Sequence, residues 1–208
     1  MKIKILLTAL LMTGLSQIGL SQNIDKEALK LRAAQKVKQM TDNISRIADK
    51  SRSVSTRESI RSKTLVLFIN KGEAFKEVYD GGYEIQRQGV EMQTTSLKYP
   101  EGDARRLKHT LMTQYLTNLI KLNYSQVKIE STDVSSMEVS NIYETSNNEW
   151  HCTVYFEQAF VGYRDGRPVY KDITRKSVDV QIQKEETIDG TEYIIRLGDV
   201  HALDTKAN

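Results

Sequence analysis

Across residues 25–51 the apolar positions Leu29, Ala33, Val37, Met40, Ile44 and Ile47 recur at spacings of four and three, with no glycine or proline among them. This spacing predicts one long helix with a narrow apolar stripe, the pattern of a helix that docks on another surface. Fewer than four clean heptads are present, so a coiled coil is permitted but not required. Serines crowd residues 51–55 and break the pattern. Ser55 followed by Glu58 then reads as a capping box that opens a second helix. The run Leu65, Val66, Leu67, Phe68, Ile69 is almost wholly apolar, so the end of this helix is expected to be buried before Asn70-Lys71-Gly72 stops it.

Residues 90–96 alternate and read as a strand, preceded by the turn signal Asp80-Gly81-Gly82. Pro100 and Gly102 break it, and Asp103 is placed to cap a helix over residues 104–122. Leu107, Leu111, Tyr115, Leu119 and Leu122 would form that helix's stripe, widened by Met112, Leu116 and Ile120. From Gln126 onward the chain reads as strands. Trp150, Cys152, Val154 and Phe156 share one face of a strand, and His151, Thr153, Tyr155 and Glu157 share the other. Asp165-Gly166 and Asp189-Gly190 mark hairpins, with Val178, Val180 and Ile182 on one face of the strand between them. Helices first and an antiparallel meander last predict an α+β fold with helices packed on one face of a sheet.

The first 21 residues add a location. A basic start (Lys2, Lys4), an apolar run from Ile5 to Met12, and small residues before Gln22 follow the order of a secretory signal peptide cut after Ser21. The run is too short to span a bilayer, and no later stretch is long enough. No cysteine lies near the cut, so no lipid anchor is expected. The mature chain is expected in the periplasm, at the cell surface or outside a bacterium. Its 187 residues suit one domain with an appendage. Cys152, the single cysteine, leaves no internal disulfide and reads as a small buried hydrophobe.

Charge is unevenly spread. Residues 24–63 hold 11 Lys/Arg against 5 Asp/Glu, and residues 64–208 hold 17 against 22. A basic front on an acidic body can mark an anionic partner, but the interleaved acids favour a solvated helix face resting on that body. Nucleic acid is disfavoured by the export signal and the acidic sheet half. Arg105-Arg106 and Lys108-His109 read as a solvated basic spot.

The order of elements from about residue 55 to 205 resembles the cone-shaped fold of the nuclear transport factor 2-like, or ketosteroid-isomerase-like, superfamily. The resemblance rests on early helices, a strand, the stretch Tyr115-Leu116-Thr117-Asn118-Leu119, and long bent hairpins. Phe156-Glu157-Gln158, Gly162-Tyr163-Arg164-Asp165-Gly166 and Leu197-Gly198-Asp199-Val200 are similar to stretches of exported proteins of Bacteroidota-type bacteria. The resemblance implies a strongly bent antiparallel sheet curled around helices, often with a pocket. It implies no single function, since members include isomerases, dehydratases and proteins that only bind or dimerise.

Chemical motifs are sparse. His109, His151 and His201 form no metal-ligand spacing, and no GxGxxG, phosphate-loop or GxSxG motif occurs, so neither a metal nor a cofactor is expected. Isomerases and dehydratases of the superfamily use a carboxylate with a Tyr or His inside the cone, and their motif does not align to definite positions here. The candidates are His151 and Tyr155, with Glu157 or Asp172 as the carboxylate; the plain alternative is the wet face of a one-sided sheet. The sequence therefore divides into a signal peptide (1–21), an amphipathic helix (22–54) and a cone-like domain (55–208). It favours an exported non-enzymatic binding or assembly module. A protein partner or second copy would dock on the front helix, and a small ligand would sit in the cone. The rival is a small pocket enzyme doing acid–base chemistry on an apolar or carbohydrate-like molecule.

Overall fold

The computed structural model describes residues 25–79, 82–146, 148–188 and 190–207. The signal segment and its cut at Ser21 lie outside the described residues, as do Asp80, Gly81 and Asp189 of the expected turns.

The first helix, α1 (Lys26–Ala48), begins where the Asp25 side chain accepts from the Ala28 N–H at 3.0 Å, with Glu27 in its first turn and Arg46 in its last. Asp25 and Glu27 oppose the positive end of the helix dipole and Arg46 the negative end. Its stripe is fully engaged. Leu29 is 3 % exposed and Val37, Met40 and Ile47 are at 0 %, in one continuous core with the sheet and α3. The division expected at residue 55 is therefore not a division of the core. Burying Leu29, Val37, Met40, Ile44 and Ile47 at roughly 1.5–3 kcal/mol each contributes about 10 kcal/mol, comparable to the net stability of a domain.

Helix α2 (Val54–Leu65) is capped by Ser53, two residues before the expected Ser55; the Ser53 hydroxyl accepts from the Thr56 N–H at 3.2 Å. Its end is buried at Thr64, Leu67 and Phe68, while Val66 is exposed. Arg57, 5 % exposed, donates to the Ile120 carbonyl at 3.1 Å, and Lys50 donates to the same oxygen. Two cations thus hold the C-terminal end of α3, where the helix dipole is negative. Asn70, Lys71 and Gly72 all take positive φ, which ends the helical layer.

A two-stranded hairpin follows, β1 (Phe75–Tyr79) with β2 (Tyr83–Arg87). The main sheet has eight strands: β3 (Glu91–Thr95), β4 (Leu107–Leu111), β5 (Gln126–Ser131), β6 (Glu138–Val139), β7 (Tyr143–Ser146), β8 (Glu149–Arg164), β9 (Arg167–Thr187) and β10 (Gly190–Ala207). The order is β4-β3-β10-β9-β8-β5, with β6 and β7 also pairing β8. Two expectations are corrected. The sheet is mixed rather than antiparallel, because β3 runs parallel to β10 through Met92 and Val200. The helix expected over residues 104–122 is strand β4 followed by α3 (Met112–Ile120). Leu107 and Leu111 have helical spacing to Tyr115, but β4 supplies the antiparallel partner of β3, from Thr95 opposite Leu107 to Glu91 opposite Leu111. Leu107 is 43 % exposed, as suits an edge strand and not a core helix.

The long strands follow the expected alternation. Trp150, Cys152, Val154 and Phe156 of β8 and Val178, Val180 and Ile182 of β9 are all buried. Arg164 pairs with Arg167 across the Asp165-Gly166 turn, whose residues both take positive φ, as a two-residue hairpin turn of the I′ type requires.

Candidate site on the helix-facing side of the sheet

Strand β9 carries a change of chemistry along one face. Val178, Val180 and Ile182 alternate into the core, and the same phase continued toward the strand's start gives Lys176, Thr174, Asp172 and Tyr170. The apolar face therefore turns polar without changing sides. Lys176 is only 5 % exposed; Tyr170 and Asp172 are partly exposed.

Neighbouring elements close around this polar end. Phe160 lies opposite Asp172 and Gly162 opposite Tyr170 in the β8–β9 pairing. The Tyr124 ring packs on Gly162 so closely that a Cβ there would lie 2.6 Å from it, so only glycine is accommodated. Tyr124 and Tyr170 each meet Phe160 edge to face, with centroids at 5.9 and 5.7 Å. Tyr115 comes down from α3 close enough for its phenol to feel the Asp172 charge. The result is an aromatic rim of Tyr115, Tyr124, Phe160 and Tyr170, with Asp172 between the rings and Lys176 deeper.

The ionisable groups are pushed toward one another. Burial is the main force raising the Asp172 carboxyl, moderated by hydrogen bonds from Tyr170 and Thr174 and by the Lys176 charge. Burial lowers the Lys176 amine to about 8, and Asp172 only partly restores it. Burial first, then the bond to Asp172, raises the Tyr170 phenol. The hydrogen-bonding contact of the Lys176 ammonium is the Met92 sulfur at 3.7 Å, a weak acceptor. The Thr174 and Thr205 hydroxyls bond each other at 3.1 Å, closing the β10 side. A lysine so placed holds about a tenth of its population as free amine at neutral pH, and can donate to or accept from an oxygen brought to it.

The four candidates read from the sequence do not meet. Asp172 belongs to this cluster. His151, Tyr155 and Glu157 stand on the opposite phase of β8 and face away from the helices. His151 bonds Glu149 at 2.8 Å and lines a cleft of about 210 Å³ with Arg87, Asp179 and Asp199. Arg175 lies over the Tyr155 ring at 5.7 Å, and Glu157 is exposed. In the sequence a polar strand face singles out these three, whereas Tyr115 reads as part of a helix stripe and Lys176 and Tyr170 carry no site signal of their own. For Lys176 and Tyr170 the signal is the phase of β9, where Tyr170, Asp172 and Lys176 are in register with the buried aliphatics Val178, Val180 and Ile182. Among the described residues, no three His, Cys, Asp or Glu side chains gather to hold a metal ion.

No family model matches the sequence, and no curated protein matches it. Solved structures with a similar course of chain include a protein proposed to be a scytalone dehydratase from Novosphingobium aromaticivorans, at 12% identity and TM-score 0.39 over 88% of this chain and 91% of that one. Another is the Kfla4162 protein from Kribbella flavida, at 10% identity and TM-score 0.37 over 84% of this chain and 93% of that one. A third is naphthalene 1,2-dioxygenase with indole bound in its active site, at 8% identity and TM-score 0.42 over 87% of this chain and 81% of that one. Likeness at this level carries no chemistry, which here is defined by the side chains of the cluster itself.

Proposed function

We infer that this chain is an exported, non-enzymatic module that binds a small molecule in a cone of nuclear transport factor 2-like type. A flat apolar body lies against Tyr115, Tyr124, Phe160 and Tyr170, and an oxygen-bearing head reaches Lys176. Bulges at Val169 of β9 and beyond Leu197 and Ala202 in β10 support a sheet that curls around its helices. The observation that carries the reading is Lys176. A buried ammonium whose hydrogen-bonding contact is a thioether is costly, and an incoming carbonyl or carboxylate oxygen would remove that cost. Export rests on the pattern of residues 1–21.

Titration with 2-naphthoate, followed by its own fluorescence, tests the binding. Saturable one-to-one binding is expected, weakened at least tenfold in Lys176→Met. Binding unaltered by that change, or no binding of naphthoate or its aldehyde and ketone analogues, overturns the reading.

One observation favours acid–base chemistry as a second reading: Asp172 is raised while Lys176 is lowered, within one cluster. A bound ketone would then exchange its α-hydrogen with deuterated solvent, and Asp172→Asn would stop it. Exchange at the uncatalysed rate in the wild type leaves the binding reading alone.

A further inference from the structure

Arg32 and Lys36 stand one turn apart on α1, at positions that face each other on a helix. Arg196 of β10 joins them, and the three cations line a cleft of about 410 Å³ with Gln35, Gln39 and Glu192. Two of them are held in place by neutral oxygens. Arg32 donates to the Tyr193 carbonyl at 2.8 Å and Arg196 to the Ile195 carbonyl at 3.4 Å. Two other bases of the same helix have carboxylates: Lys30 pairs with Glu27 and Lys38 with Asp42. Among the described residues, Arg32, Lys36 and Arg196 have no ion pair, although Glu192 stands on the cleft wall. Burial, and after it the charges of Arg196 and Arg32, lower the Lys36 amine, so the three groups feel one another. Like charges a turn apart are destabilising. Here they converge in a concavity where Glu192 is the one lining carboxylate and forms no ion pair with them among the described residues.

We propose that the cleft between α1 and β10 is a binding site for a phosphate or sulfate monoester on a small polar molecule. The guanidinium groups of Arg32 and Arg196 match the paired oxygens of such a group, and Lys36 adds a point charge. Gln35 and Gln39 offer carboxamides to the hydroxyls of the carrier. The cleft shares no residue with the Lys176 cluster and does not depend on what that cluster binds. The basic front of the sequence is thereby a site, not only a solvated face.

Calorimetric titration of the full mature chain at fixed ionic strength tests this, with glucose 6-phosphate, glucose 6-sulfate and glucose as probes. Both esters are expected to bind and glucose is not. Lys36→Gln and Arg196→Gln are each expected to weaken the esters at least tenfold. Without ligand, both variants should melt no lower than the wild type, because removing one cation relieves repulsion. Equal binding of glucose, or ester binding unchanged in both variants, overturns the proposal. Binding to phosphatidic acid vesicles with none to the soluble esters also overturns it, in favour of a lipid surface.

Discussion

Lys176 is the residue where stability and function pull apart. Its ammonium is buried beside an aspartate that only partly offsets desolvation. Lys176→Met is therefore expected to raise stability, on the order of 1–3 kcal/mol in denaturant melts at pH 7, while removing naphthoate binding. The pH dependence has a definite sign. The folded-state pKa of about 8 lies below the ordinary 10.5, so between those values the native state gives up a proton that the unfolded chain keeps. Stability should rise as pH increases through that window, and the rise should be missing in Lys176→Met. A melt series with the same slope in both proteins would assign the lysine an exposed, ordinary amine. Trp150 contributes in the opposite sense. It is 6 % exposed and meets Tyr193 edge to face at 6.0 Å, so Trp150→Ala should cost on the order of 3–5 kcal/mol. A change within error would contradict its place in the core.

At the scale of elements, α1 decides the most. An amphipathic stripe is satisfied equally by its own domain or by a second copy, and periodicity alone does not separate the two. The stripe is closed at 0–3 % exposure from Leu29 to Ile47, and the helix is tied across the chain by Ser45 to the Ile129 carbonyl and Lys26 to the Ile142 carbonyl. Deleting residues 25–48 is expected to unfold the sheet, seen as loss of the strand signal in circular dichroism and of a cooperative melt. A truncated chain that keeps both would return the helix to a docking role. The β4–α3 segment teaches a related point. Leu107 and Leu111 fit a helix by spacing, yet β3 would have been left with an unpaired edge, and pairing with β4 satisfies it. Met112 starts the true helix with its N–H on the Val90 carbonyl at 2.7 Å.

On the scale of the whole molecule, charge separates into two sites. Of the bases of α1 and α2, Lys26, Arg32 and Arg57 reach backbone carbonyls across the fold, and Lys38 with Asp133, at 4.0 Å, is the long-range ion pair of α1 among the described residues. That leaves net positive charge on one flank, while the aromatic rim and Lys176 lie elsewhere. Among the described residues no helix is long and apolar enough to cross a membrane. If residues 1–21 direct export, protein from the cell envelope or medium should have an intact mass starting at or near Gln22. A mass that still includes Met1 to Ser21 would remove the export reading.

Sequence by itself determined the local order: a striped helix from residue 26, buried alternation in Trp150–Phe156 and Val178–Ile182, and a tight hairpin at Asp165-Gly166. These follow from periodicity and turn chemistry, which act over a few residues. The tertiary structure decided what depends on partners distant in the chain. It placed α1 inside the core, made β3 parallel to β10, and turned the first half of an apparent helix into an edge strand. It also separated Asp172 from His151, Tyr155 and Glu157. Alternation puts neighbouring strand residues on opposite faces, but only the packed helices determine which face is enclosed. There, burial converts an ordinary lysine and aspartate into a responsive pair.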